Sequence, residues 1–99
     1  MLEFRNPVEF EWDSGNIDKN KLKHQVGTLE AEESFFDEKH RIYEDRLHSL
    51  AGEDRYILVG KTKAGRLLFI VFTLRNTKIR IISARDGNKK ESKLYEERT

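Results

Sequence analysis

The chain has 99 residues, with 19 Lys+Arg against 18 Asp+Glu, a formal charge of +1 and no cysteine. A chain of this length is expected to make one domain, residues 1–99, removing roughly two-thirds of its surface from water on folding. The lack of cysteine excludes disulfides and thiolate metal sites. No apolar run reaches membrane-spanning length, and the start MLEFRNPVEFEW lacks the basic-then-apolar pattern of a signal peptide, so a cytoplasmic protein without membrane contact is the expectation.

Val8, Phe10 and Trp12 alternate with Glu9 and Glu11, the pattern of a short strand with one apolar face and Pro7 at its start. Asp13-Ser14-Gly15-Asn16 opens a helix over Ile17 to Gln25. Gly27 ends that helix and Thr28 caps the next, whose Glu30, Glu32 and Glu33 suit the positive end of the helix dipole. Leu29, Ala31, Phe35 and Phe36 are expected to face the core. Arg41-Ile42-Tyr43 reads as an edge strand, and Glu44 to Asp54 as an exposed loop.

Arg55 to Gly60 is the next strand, turning through Lys61–Gly65 with Gly65 at positive φ. Leu67 to Leu74, an almost unbroken apolar run, reads as a central strand buried on both faces. Arg75-Asn76-Thr77-Lys78 then turns the chain into Ile79 to Ala84, pairing Leu74 with Ile79, Thr73 with Arg80, Phe72 with Ile81 and Val71 with Ile82. Asp86-Gly87-Asn88 breaks the sheet. Asn88 and Glu91 have capping-box spacing, so a last helix runs to about Glu97, docked through Leu94 and Tyr95. The order β-α-α-β-β-β-β-α predicts an α+β domain with an antiparallel sheet, two N-terminal helices and a C-terminal helix.

Charge is divided unevenly along the chain. Residues 1–54 hold 7 Lys+Arg against 14 Asp+Glu, and residues 55–99 hold 12 against 4. A basic second half suggests a face for a polyanion; the competing reading is that these cations solubilise an oily sheet.

Several fragments occur in a telling order: FEWD at Phe10 to Asp13, KHxV at Lys23 to Val26 and EAExxF at Glu30 to Phe35. RYILVGKTKAGRLLFIVFT (Arg55–Thr73), RIISAR (Arg80–Arg85) and ExxxYE at Glu91 to Glu96 follow. Together they resemble the BrnT family, toxins of bacterial type II toxin–antitoxin modules, over nearly the whole chain. The resemblance implies a RelE-like fold, a ribonuclease that arrests growth by cutting RNA, and neutralisation by a BrnA-like antitoxin. That antitoxin would carry a ribbon-helix-helix domain and so bring the complex to operator DNA. Two departures stand out. Gln25 occupies the place of the family's usual Gly, and the family's basic run after RIISAR survives as Lys89 and Lys90.

Cleaving RNA without a metal means driving the 2′-OH onto the adjacent phosphate, stabilising the phosphorane and moving two protons. His24, His40 and His48 lie in different segments with no metal-ligand spacing, so neither metal nor cofactor is expected. Arg80 and Arg85 are the candidates for stabilising the phosphorane, since guanidinium forks match phosphate geometry. Their opposite strand parity requires a bend near Ser83 if both are to reach one face. The alternative is an ion pair with acidic residues of the first half, for instance Glu32 or Glu33. His24 is the candidate for proton transfer, its ordinary pKa lying near neutrality. Lys23, Arg66, Arg75 and Tyr95 are candidates for holding substrate. Arg66 and Arg75, at opposite ends of one strand, stand roughly 27 Å apart and cannot both flank one scissile bond. Set against the ribonuclease is a module that binds RNA or a partner without chemistry.

Overall fold

The structure, a computed structural model, describes residues 9–12, 24–46 and 53–97. Among the described residues seven elements follow one another: β1 (Glu9–Glu11), α1 (Thr28–Phe35), β2 (Arg41–Glu44), β3 (Arg55–Lys61), β4 (Leu67–Arg75), β5 (Lys78–Asp86) and α2 (Lys89–Glu96). The strands form one sheet in the order β1-β5-β4-β3-β2. It is an α+β fold, but the sheet is mixed rather than antiparallel, because β1 runs parallel to β5. Parallel neighbours need a long crossover between them, and here the rest of the fold separates β1 from β5. Both sheet edges are short and charged, which limits pairing with another chain.

The alternation along β4 decides the layering. Leu68, Ile70 and Phe72 are completely buried, whereas Leu67, Phe69 and Val71 are only half-buried. The central strand is therefore buried on one face and partly open on the other, instead of sealed on both. We call the sealed side the inner face. There Phe35 of α1 meets Phe72 edge-on at 5.1 Å between ring centroids, and Phe10 of β1 meets Phe35 at 5.3 Å. Gly60 allows α1 to come this close, since a Cβ there would lie 2.5 Å from the Ser34 carbonyl oxygen. Leu29 and Phe36, expected in the core, are 68% and 60% exposed. A helix of eight residues presents only one stripe to the sheet, and Ala31, Ser34 and Phe35 fill it.

The β4–β5 register is Leu74 with Ile79, Thr73 with Arg80 and Phe72 with Ile81. Val71 then pairs with Ser83, not Ile82, because a bulge inserts Ile82 as an extra residue. Strict alternation from Arg80 would point Arg85 at the sealed face. The inserted residue turns Arg85 outward and puts Ala84 inside, which avoids burying an unpaired charge. Asn76, at φ 57, forms the turn together with Thr77, and Gly65 has the expected positive φ of 88.

Of the helix expected over 17–25, residues 17–23 lie outside the described residues. His24 is helical, and Gln25, not Gly27, takes the left-handed turn at φ 55. Gly27 rather than Thr28 is the N-cap of α1, its N–H donating to Glu30 Oε1 at 3.3 Å. The Asn88–Glu91 capping box opens α2 as expected: the Glu91 N–H donates to Asn88 Oδ1 and the Asn88 N–H to Glu91 Oε1, each at 2.9 Å. α2 docks through Tyr95, which is buried, while Leu94 is 40% exposed.

Candidate functional site

Strand register fixes which side chains share the outer face. Among the described residues, every Lys and Arg of the five strands stands on it: Arg41, Arg55, Lys61, Arg75, Lys78, Arg80 and Arg85. Glu9 and Glu11 are the acidic strand residues at outer positions, both on the edge strand β1. The inner positions of the strands hold no cation, as an apolar layer beneath a helix requires.

Arg80 and Arg85 thus lie on one face, with Ser83 between them. Arg80 is 22% exposed in its side chain, and its Nη1 stands 3.2 Å from Glu11 Oε1. This is the ion pair with an acidic residue of the first half that stood against a phosphate-binding role for Arg80, and the residue is Glu11 of the neighbouring strand. Arg75 Nη1 approaches the same Glu11 oxygen at 3.9 Å, and Arg75 Nη2 lies 3.7 Å from Glu53. Arg85 is held more firmly. Its Nη1 and Nη2 donate to the two oxygens of Glu91 at 2.9 and 2.8 Å, and its guanidinium lies 4.0 Å from the Phe69 ring centroid. Burial would raise the Glu91 carboxyl, but the Arg85 fork and the Asn88 N–H outweigh it and hold Glu91 below the usual carboxylate range.

Arg66 belongs to a different cluster, at the end of the sheet beside the start of α1. All five of its N–H donors are used within the chain. Nε and Nη2 donate to Asp86 at 2.6 and 3.2 Å, Nη1 to Glu30 Oε2 at 3.0 Å and the Gln25 carbonyl at 2.9 Å, and Nη2 to the His24 carbonyl at 3.1 Å. The Arg66 hydrogen bonds outweigh burial and lower the Asp86 pKa, with His24 adding a smaller electrostatic contribution. The same carboxylates raise the Arg66 pKa. His24 is consequently grouped with Arg66 and Asp86, and the structure does not bring it beside Arg80.

Tyr95 anchors α2. Its hydroxyl donates to Asp37 Oδ2 at 2.6 Å, and the Lys61 N–H donates to the same oxygen at 2.8 Å. Lys61 Nζ lies 5.2 Å from the centre of the Tyr95 ring. Burial would raise the Asp37 carboxyl, yet the Tyr95 hydroxyl, the Lys39 and Lys61 N–H groups and nearby His40 together lower it. Lys23 lies outside the described residues. Among the described residues no three His, Asp or Glu side chains are grouped to hold a metal ion.

Residues 12–91 match the family model described as ribonuclease toxin, BrnT, of type II toxin–antitoxin system. The chain belongs to the BrnT family. The 1.1 Å crystal structure of the Brucella abortus ribonuclease toxin, BrnT, is similar to it at a TM-score of 0.61 and 18% identity. That likeness covers 83% of this chain and 99% of that one, and at such an identity it is a likeness of fold. No curated protein matches the chain.

As a BrnT-family ribonuclease toxin of a type II system, the chain acts on RNA and is paired with an antitoxin. Arg41 and Arg55 share the face of Arg80 and Arg85, a grouping that no local motif in the chain marks. Strand parity relative to Arg80 was the available signal, and it becomes usable only once the neighbouring registers are known. No described helix is long and apolar enough to cross a membrane.

Proposed function

We propose that this chain is a metal-independent endoribonuclease with a RelE-like active face, that it arrests growth when unopposed, and that a BrnA-like antitoxin neutralises it. The antitoxin would bring the pair to operator DNA, and the complex would work in the cytoplasm as a single-domain toxin. One observation carries the catalytic reading: the bulge at Ile82 turns Arg80 and Arg85 to the same face, amid all the strand cations.

In the reaction the 2′-oxygen bonds to phosphorus while the bond to the 5′-oxygen breaks, leaving a 2′,3′-cyclic phosphate and a free 5′-hydroxyl. Arg80 and Arg85 stabilise the charge on the phosphorane oxygens. Both meet carboxylates in the free protein, so RNA phosphate replaces Glu11 and Glu91 at least in part. Arg75 holds flanking RNA at the far end of β4, and Lys23 contributes a phosphate contact. His24 takes the proton off the 2′-hydroxyl from the Asp86 end of the site, the end that Arg85 also contacts, and a water protonates the 5′-oxygen. Arg66 fixes the His24 backbone rather than touching RNA, since its donors are occupied. Tyr95 acts through the placement of α2.

Arg80→Ala is expected to lower RNA cleavage about 10²- to 10³-fold with little change in melting. Cleavage by the wild-type chain in excess EDTA tests metal independence. Inducing the chain alone in bacteria, then with its antitoxin, tests growth arrest and its relief. The carboxylate partners of Arg80 and Arg85 favour a second reading, a module that binds RNA or a partner without cutting. Purified chain that binds RNA with steep salt dependence but never shortens it would establish that reading instead.

A further inference from the structure

The outer face has an order beyond its charge. Across the strands, Arg80, Thr73 and Arg55 form one row, and Arg85, Phe69, Val59 and Arg41 form another. Between them run Ser83, Val71, Ile57 and Tyr43. Strand spacing sets the Arg80 and Arg55 backbones about 10 Å apart, those of Arg85 and Arg41 about 14 Å apart, and the two rows about 13 Å from each other. Four arginine backbone positions therefore mark the corners of a window with a largely apolar floor, from which Arg80 reaches out to Glu11 and Arg85 to Glu91. Val71, Ile57 and Tyr43 are each half-buried, so part of that floor reaches solvent. Glu11 and Glu53, both partners of Arg75, lie towards the Arg80–Arg55 side.

We propose that Arg41, Arg55 and Tyr43 form a subsite for single-stranded RNA, in which the two arginines hold phosphates flanking the scissile one and Tyr43 stacks a nucleobase over Ile57 and Val71. The proposal rests on the ribonuclease reading of this face and extends it to the substrate form. An apolar strip between cations suits an unstacked base with its phosphates on either side; a duplex keeps its bases stacked away from such a floor. Arg41 adds an independent observation. Its Nε is buried with no hydrogen-bond partner among the described residues, so a phosphate at Arg41 would have no hydrogen bond of that nitrogen to displace.

The test is fluorescence anisotropy with a short single-stranded RNA carrying 2′-O-methyl groups, which reports binding without cleavage. Arg41→Gln and Arg55→Gln should each weaken binding about tenfold and reduce the slope of log K against log salt by about 0.7. Tyr43→Ala should weaken it about tenfold with the slope unchanged, and Tyr43→Phe should bind as wild type. Unchanged affinity and slope in both arginine variants would overturn the subsite. Should a variant fail to fold, photo-crosslinking of 4-thiouridine RNA to the wild-type chain decides instead: attachment at Tyr43 supports the subsite, and attachment only elsewhere refutes it. Wild-type cleavage with normal binding by the variants would remove the subsite alone. Weakened binding by the variants, with no cleavage by the wild type, would remove the ribonuclease reading and keep the subsite.

Discussion

Arg66 and Asp86 meet across the end of the β4–β5 hairpin, Nε to Oδ1 at 2.6 Å and Nη2 to Oδ2 at 3.2 Å. Because the remaining Arg66 donors go to Glu30 and the carbonyls of His24 and Gln25, one side chain ties the hairpin to the turn before α1. Arg66→Lys keeps the charge but loses the fork, so the turn should loosen. Faster amide exchange over residues 24–30, with β3 and β4 unchanged, is the expected signature. Uniform protection would mean that the fork contributes nothing local.

Gln25 sits in the same turn at φ 55, a conformation glycine adopts more readily than a residue with a Cβ. Gln25→Gly should therefore raise stability by roughly 0.5–1 kcal/mol in a urea melt. A loss of stability would show that the Gln25 side chain has a contact worth more than the relieved backbone strain.

Glu11 faces both Arg80 and Arg75 and competes with any phosphate for them. Glu11→Gln removes that charge while keeping the side chain's size. Binding of a non-cleavable RNA should tighten a few-fold, most clearly at low salt where electrostatics are least screened. Unchanged or weaker binding would assign the Arg80–Glu11 pair to fold support.

The lowered Glu91 and Asp37 pKa values make stability depend on acid. A carboxyl whose folded pKa lies below its unfolded one contributes stability that is present above the unfolded value, about 4. That contribution is lost as pH falls through the folded value. The melting temperature should thus hold steady near neutrality and drop below about pH 4. Glu91→Gln should start lower and fall less steeply over the same range. A slope equal to that of the wild type would show that Arg85 gains nothing from the carboxylate on folding.

Gly60 lies beneath α1, where a Cβ would meet the Ser34 carbonyl oxygen at 2.5 Å and the Leu58 side chain at 3.1 Å. Backbone cannot yield as a flexible side chain can, so Gly60→Ala should cost roughly 1–3 kcal/mol by displacing the helix. Chemical denaturation measures this directly, and a neutral result would mean that α1 has room to shift.

The amino-acid sequence by itself determined the apolar hairpin, its register from Leu74–Ile79 to Phe72–Ile81, the Gly65 turn and the Asn88–Glu91 cap. Each rests on neighbours in the chain: alternation, turn chemistry or a three-residue spacing. The RIISAR segment marked Arg80 and Arg85 in the same way, as a family resemblance. Only the tertiary structure decided that they share a face, because nothing in Ile81-Ile82-Ser83 says which residue is extra. The bulge follows from keeping Arg85 off the layer that α1 seals, a constraint that comes from across the sheet. The parallel seating of β1, the Arg66 fork and the alignment of Arg41 and Arg55 with Arg80 and Arg85 have the same origin. They join residues far apart in the chain, and local pattern carries no record of which distant strands will meet.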